Sequence, residues 1–387
     1  MIKRALESKV LAYARKFPVV TITGPRQSGK TTLCKMAFPD KKYLSLEDLD
    51  VRNYARTDPR SFLEETLKKG AVLDEIQRVP KLLSYIQTIA DRENREGLFI
   101  LTGSQNFELL HSLSQTLAGR TALATLLPFS YGEIYKNGSK ITLDTLLYKG
   151  FYPRIYDKKL NPTEALSFYT STYLERDVRS LINIKDLSKF EVFLKLCASK
   201  TGQVLNISNL GNDCGINHNT AKSWLSVLEA SYIIHLVRPH HKNFRKRLIK
   251  SPKLYFIDSG LAAYLLDIHN ARHMANHPLK GAIFETFVVS EVLKARLNGG
   301  KRKNLYYFRD NVGNEVDLIL DYGSKVKPVE IKLGRTINND FFNGLRYYKK
   351  LNPKNSAKGC LIYGAGESSS RSKFDIISYN NIGKMRI

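Results

Sequence analysis

Short apolar runs alternate with amphipathic stretches along the first third of the chain. The runs Pro18-Val19-Val20-Thr21-Ile22-Thr23, Tyr43 to Leu46, Ala71-Val72-Leu73-Asp74, Leu98 to Leu101 and Thr121 to Leu127 have the length and β-branched content of buried strands. Helical patterns over Thr31 to Ala37, Pro59 to Lys69 and Lys81 to Asn94 separate them, and a further helix is expected to end near Ala118. Strands alternating with helices predict an α/β fold with a parallel sheet and a ligand at the strands' C-terminal ends.

The pattern then changes. Residues 161–200 read as helical, with Pro162 in a first turn and Phe168, Tyr169, Thr172, Tyr173 and Arg176 at helical spacing. A short helix opens at Ile207, and Cys214-Gly215-Ile216-Asn217 makes a turn. A second helix follows, with Ala221, Trp224, Leu225 and Leu228 on its apolar face and Asn219, Lys222, Ser223 and Ser226 on the other. Two strands, Ile233 to Val237 and Lys253 to Ile257, flank a loop carrying Lys242, Arg245, Lys246, Arg247 and Lys250 without an acid. Helix, turn, helix and hairpin predict a winged-helix unit with a phosphate-contacting wing; a small packing domain with a solvated basic loop fits the same pattern. His269, His273 and His277 form a stripe that reads as linker surface rather than a metal site. The last part predicts a helix over Gly281 to Asn298 and strands at Leu305 to Arg309, Glu315 to Leu320 and Lys327 to Leu333.

The chemistry concentrates in two places. Gly24-Pro25-Arg26-Gln27-Ser28-Gly29-Lys30-Thr31-Thr32 fits the phosphate-loop pattern in full, between a strand and a helix as the mechanism requires. Its backbone N–H groups and the helix N-terminus suit an anion. Lys30 suits the β- and γ-phosphates, and the Thr31 hydroxyl suits Mg²⁺. The third strand ends in Asp74-Glu75, where Asp74 can order metal-bound water and Glu75 can polarise the attacking water. Just past the fourth strand, in Thr102-Gly103-Ser104-Gln105-Asn106, a polar side chain such as Gln105 can reach the γ-phosphate or that water.

The second place is the last hairpin. With Gly323-Ser324 as the loop, Tyr322 pairs with Lys325, which puts Asp317 opposite Glu330, with Lys332 on the same face. Opposed carboxylates repel unless a divalent cation lies between them, and a neighbouring lysine can stabilise charge on a phosphate. A salt-bridged sheet surface is the alternative.

These residues carry two resemblances. The loop, Leu73-Asp74-Glu75, Ser104-Gln105 and Arg120 resemble the Walker A, Walker B, sensor-1 and arginine-finger positions of AAA+ ATPases. Gly-Pro-Arg-Gln-Ser-Gly-Lys-Thr-Thr, Leu-Thr-Gly-Ser-Gln and Leu-Pro-Phe-Ser resemble a prokaryotic group that joins such an ATPase to a C-terminal domain of uncharacterised function. The last hairpin resembles PD-(D/E)xK nucleases, with Glu285 as the extra acid on the first helix. Here Val316 stands where the signature has proline. The resemblances imply an AAA+ P-loop domain at 1–160, a helical and winged-helix domain at 161–270 and an α/β restriction-endonuclease-like domain at 271–387. They imply metal ligands Thr31, Asp74, Glu285, Asp317 and Glu330, catalytic Glu75, Arg120 and Lys332, and the cofactors ATP and Mg²⁺.

Charge adds a partner. The net charge is +25, and it divides as about +9, +5 and +11 over those three parts, so it is not one tail. Such a field favours a polyanion, DNA above all. Four separated cysteines and the lack of a long apolar run suggest a reducing cytoplasm, with no disulfide framework and no membrane. Homo-oligomers are expected if Arg120 serves a neighbouring site. The expected function is an ATPase acting on DNA with metal-dependent nuclease activity. The alternative is a switch ATPase whose last domain only docks a protein or DNA.

Overall fold

The computed structural model describes residues 2–103, 116–135, 141–174, 186–240, 250–365, 367–370 and 373–385. The chain forms two compact units. The first comprises Met1–Phe129 with the short pieces Ala230–Tyr232 and Leu297–Lys301, and the second comprises the remainder.

The first unit is built on a parallel sheet of five strands: β1 (Val19–Thr23), β2 (Lys42–Ser45), β3 (Ala71–Asp74), β4 (Phe99–Gly103) and β5 (Thr121–Thr125), in the order β2-β3-β4-β1-β5. Strands β1, β3 and β4 are buried throughout, as continuous apolar runs require when both faces are covered. The two faces separate by alternate residues. Val19, Leu73, Leu101 and Phe99 pack with Ile86 and Ile89 of the helix Leu82–Glu93. Val20, Ile22, Val72 and Ile100 pack with Val10 of the helix Glu7–Ala14 and Leu33 of the helix Lys30–Ala37. A helix Leu49–Thr57, which the polar sequence hides, starts because the Asp48 side chain accepts the N–H groups of Asp50 and Val51.

The second unit holds a mixed eight-stranded sheet. Its strands are β6 (Ile234–Pro239), β7 (Lys253–Phe256), β8 (Leu305–Arg309), β9 (Glu315–Asp321), β10 (Val326–Lys332), β11 (Gly359–Tyr363), β12 (Ser369–Ser370) and β13 (Phe374–Ser378), in the order β12-β13-β11-β10-β9-β8-β6-β7. The expected helix pair is present at Ile207–Asp213 and His218–Ala230. Ala221, Trp224, Leu225 and Leu228 are buried, and the Trp224 ring meets Phe190 and Phe193 edge-on at 5.2 and 5.1 Å. The hairpin β6–β7 follows, but it is not a separate wing. Arg238 and Pro239 pair in parallel with Tyr306 and Tyr307, so β6 joins the hairpin to the C-terminal sheet. The expected boundaries at 160/161 and 270/271 thus fall inside one unit. Residues 241–249 and 175–185, with the basic loop and Arg176, lie outside the described residues. No described helix is long and apolar enough to cross a membrane.

Within this unit His235 is buried, and its Nδ1 lies 3.9 Å from Glu229 Oε1. Burial, then Lys303 and Arg238, lower its pKa from 6.5 to about 3. The folded ring stays neutral while the unfolded chain takes up a proton below pH 6.5. Its contribution is therefore complete above that pH and is lost as pH falls toward 3. At pH 5 the loss is about 2 kcal/mol. Urea unfolding followed by the single tryptophan, Trp224, should show a lower midpoint at pH 5 than at pH 7. His235→Asn should remove most of that difference, and an undiminished difference counts against this origin.

Candidate nucleotide and acid-cluster sites

The phosphate loop runs from the end of β1 into the helix Lys30–Ala37. Gly24 is obligatory, because a Cβ there would lie 2.1 Å from the Leu126 carbonyl oxygen. Gly29 caps the helix with a left-handed backbone (φ 90°) that places the first turn's N–H groups beside the loop. Gln27 is also left-handed, at φ 58°. Lys30 is buried, and its Nζ donates to the carbonyls of Gly24 (3.0 Å) and Pro25 (2.9 Å). Burial lowers its pKa against the pull of Glu75 and Asp74. Sequence reasoning missed a second brace. The buried Arg4 guanidinium donates to the carbonyls of Ser28 (2.5 Å) and Leu127 (2.7 Å) and lies 4.7 Å from the Phe129 ring centre.

The acidic pair falls where parallel strands converge. Thr31 Oγ1 donates to Asp74 Oδ2 at 2.8 Å, so loop and β3 meet through the two residues a magnesium ion would need. Tyr43 OH from β2 donates to the same oxygen, and Thr102 Oγ1 from β4 donates to Asp74 Oδ1. The sequence marks Tyr43 and Thr102 only by their place on the strands flanking β3. Glu75 is non-glycine and left-handed (φ 60°), a strained backbone of the kind found at functional sites. Its N–H donates to Thr102 Oγ1 at 3.3 Å, and its carboxylate accepts the Gln77 side-chain amide. Arg26 Nη1 lies 3.9 Å from Glu47 Oε1, and Thr32 is exposed on the helix. Ser104 and Gln105 lie outside the described residues.

Arg120 stands apart from this group. It precedes Thr121, which pairs with the first residue of β1, whereas the loop follows the last. It therefore lies at the opposite end of the sheet from its own phosphate loop, gripped by Asp91 through Nε (2.5 Å) and Nη2 (2.9 Å).

The second unit assembles an acid cluster from three elements. The register Val326↔Asp321 through Val329↔Leu318, with Tyr322 N–H donating to the Lys325 carbonyl, is the one read from the sequence. The ladder ends there. Asp317 Oδ2 instead accepts the Ile331 N–H at 2.8 Å, and Lys332 Nζ reaches Glu330 Oε1 at 2.6 Å and Asp317 Oδ2 at 3.7 Å. Glu285, from the helix Lys280–Asn298, joins them. Val316, Leu318, Val329 and Ile331 are buried, and Asp317 and Glu330 are buried as well.

The residue that sequence reasoning missed is Lys253. Its Nζ lies 3.1 Å from Glu285 Oε1, 2.5 Å from Glu315 Oε1 and 3.8 Å from Asp317 Oδ1, while Tyr255 OH donates to Glu285 Oε1 at 2.5 Å. Burial, then Asp317, raise the pKa of Glu285 and of Glu330. Burial works against the charge of Lys253, but Tyr255 and the carboxylates outweigh it and hold the ammonium charged. Hard carboxylate oxygens suit magnesium or manganese, and the buried Glu330 Oε2 has no hydrogen-bond partner. As arranged, two ammonium groups stand among these oxygens. Among the described residues, no group of three His, Cys, Asp or Glu is set to hold a metal ion.

Elsewhere in the second unit, Asn219, Lys222, Ser223 and Ser226 form an exposed face on the second helix of the pair. His269, His273 and His277 are ring neighbours, at centroid distances of 6.2 and 5.7 Å.

Comparison with known proteins agrees with the first site. Residues 16–135 match the AAA domain family, residues 140–272 match a domain of unknown function (DUF8612), and residues 280–382 match another (DUF4143). Uncharacterised proteins of Mycobacterium tuberculosis and Mycobacterium bovis are each 29% identical over 336 residues, covering 85% of this chain and 74% of each relative. Among solved structures, a Walker-type ATPase of Pyrococcus abyssi shares 14% identity over 68% of this chain and 96% of its own, with a TM-score of 0.40. AMPPCP-bound DnaA of Aquifex aeolicus shares 14% identity over 58% of this chain and 86% of its own, with a TM-score of 0.31. The parallel sheet and the phosphate loop agree with the match of residues 16–135 to the AAA domain family, and matches to two families of unassigned function follow it along the chain.

Proposed function

We propose that the chain is an ATP-hydrolysing enzyme that acts on DNA and carries a metal-dependent nuclease-like site in its C-terminal part. In the ATPase site, the N–H groups of Gly24 to Thr32 cradle the phosphates, and Lys30 leaves its carbonyl partners for the β- and γ-phosphates. Thr31 and Asp74 would hold Mg²⁺, which when bound neutralises charge on the phosphates. Glu75 takes the proton of the attacking water, and Gln105 lies in the segment that would orient it. Arg120, far from its own loop, serves the site of a second copy, which makes the active form a homo-oligomer.

One observation carries the nuclease reading: Asp317, Glu330, Glu285 and Lys332 meet in one buried cluster although they come from three elements. A divalent cation held by Asp317, Glu330 and Glu285 would supply charge stabilisation at a phosphate, and Lys332 would orient that phosphate. The exposed face at Asn219 and Lys222 and the basic residues from Arg238 to Lys250 offer contacts to the DNA backbone. The presence of Lys253 among the acids favours a second reading, in which the C-terminal part only docks DNA or protein and the ATPase acts as a switch.

ATP turnover with and without DNA tests the shared part of both readings. Single-stranded, duplex or branched DNA should raise the rate severalfold at low salt, with the gain lost as salt rises. A rate indifferent to all three at every salt concentration rejects DNA as the partner.

A further inference from the structure

Lys253 is the first residue of β7, yet its side chain belongs to the acid cluster. The residue is only 3% exposed. Its ammonium touches Glu285, Glu315 and Asp317, and Asp317 is shared, with Oδ1 toward Lys253 and Oδ2 toward Lys332. Four carboxylates face the ammonium groups of Lys253 and Lys332 and the Arg309 guanidinium, 3.4 Å from Glu315 Oε2, so the cluster keeps one negative charge when all are ionised and attracts a cation. Glu330 Oε2 is buried without a hydrogen-bond partner and so offers a divalent cation an unclaimed oxygen. Glu285 and Glu315 already hold a cation in Lys253. Phosphoryl-transfer sites with two metals place them about 4 Å apart, sharing a carboxylate. Asp317 occupies that sharing position here.

Resting on the metal-site reading above, we propose that the Lys253 ammonium is a built-in cation in the place a second metal would take, so that the cluster binds one divalent cation, at Asp317 and Glu330. Lys253 then sets the metal number of the site.

Mn²⁺ titrated calorimetrically into the nucleotide-free full-length protein tests this. Asp317→Asn gives the baseline for Mn²⁺ bound elsewhere. Above that baseline, wild-type protein should take up one Mn²⁺. Lys253→Met, which keeps the aliphatic stem and removes the charge, should take up two, and Lys253→Arg should stay at one. If wild type takes up none above the baseline, the metal-site reading itself falls. If wild type takes up one and Lys253→Met also takes up one, the metal site stands and the built-in-cation proposal is overturned. Should Lys253→Met be unfolded without metal, Mn²⁺ should restore its folding, as read by Trp224 fluorescence. Failure of both Lys253→Met and Lys253→Gln to fold at any Mn²⁺ concentration, while Lys253→Arg folds, also overturns it.

Discussion

Glu75→Gln protein is expected to bind ATP as tightly as wild type and to hydrolyse it about a hundred- to ten-thousandfold more slowly. The substitution keeps the size of the side chain, and the Glu75 N–H still donates to Thr102. What disappears is the proton acceptor. Asp74 cannot replace it, because three hydroxyl groups, from Thr31, Tyr43 and Thr102, already engage its oxygens. Lys30→Ala is the complementary case. It removes the one buried cation of the loop, so ATP affinity itself should drop about a hundredfold. Fluorescent-nucleotide binding together with single-turnover hydrolysis separates the two. Unchanged turnover in Glu75→Gln protein removes Glu75 from the chemistry.

Much of the nucleotide site is legible in the sequence because local rules fix it. A glycine loop between an apolar strand and a helix has few other structures open to it, and an acid pair ending a buried strand must emerge at the sheet's C-terminal edge. Arg4 is different. It reaches Ser28 and Leu127 across the fold, and no periodicity near Met1 signals that contact. Tyr43 and Thr102 become visible only once the order β2-β3-β4 places both beside Asp74.

The last hairpin shows the same limit more sharply. Its register follows from the two-residue loop and the alternation of side chains, so the meeting of Asp317, Glu330 and Lys332 is readable. The burial of those acids is not, since it depends on the helices Lys280–Asn298 and Asn343–Leu351 closing over the sheet. Lys253 lies in a separate hairpin and enters the cluster through a pairing of β6 with β8 that covers two residues. Long-range edge pairing leaves no local signature. For the same reason the hairpin looks like a free wing in the sequence. Strand β11, the parallel partner of β10, and β13, the parallel partner of β11, carry little sequence signal, because Gly359 to Tyr363 and Phe374 to Ser378 are short and flanked by polar, glycine-rich chain.

Asp317→Asn is expected to abolish DNA cleavage, by about a hundredfold or more, while leaving ATP turnover and DNA binding within about twofold of wild type. Asparagine can still accept the Ile331 N–H, so the local backbone keeps its anchor. It cannot carry the charge shared between Lys253 and Lys332, nor bind a divalent cation as a carboxylate does. Lys332→Ala should lose cleavage too, because Glu330 then has no ammonium beside it and the phosphate has no partner. The two units hold these chemistries in separate groups of residues, so each can be lost alone.

The most direct measurement is nicking of supercoiled DNA in Mn²⁺ by wild-type and Asp317→Asn protein, side by side, with ATP present and absent. Wild type should convert the plasmid to open circles, EDTA should stop it, and Asp317→Asn should leave the DNA intact while still hydrolysing ATP. Cleavage by Asp317→Asn at the wild-type rate, or no cleavage of single-stranded, duplex or branched DNA by wild type under any of these conditions, contradicts a nuclease in the C-terminal part.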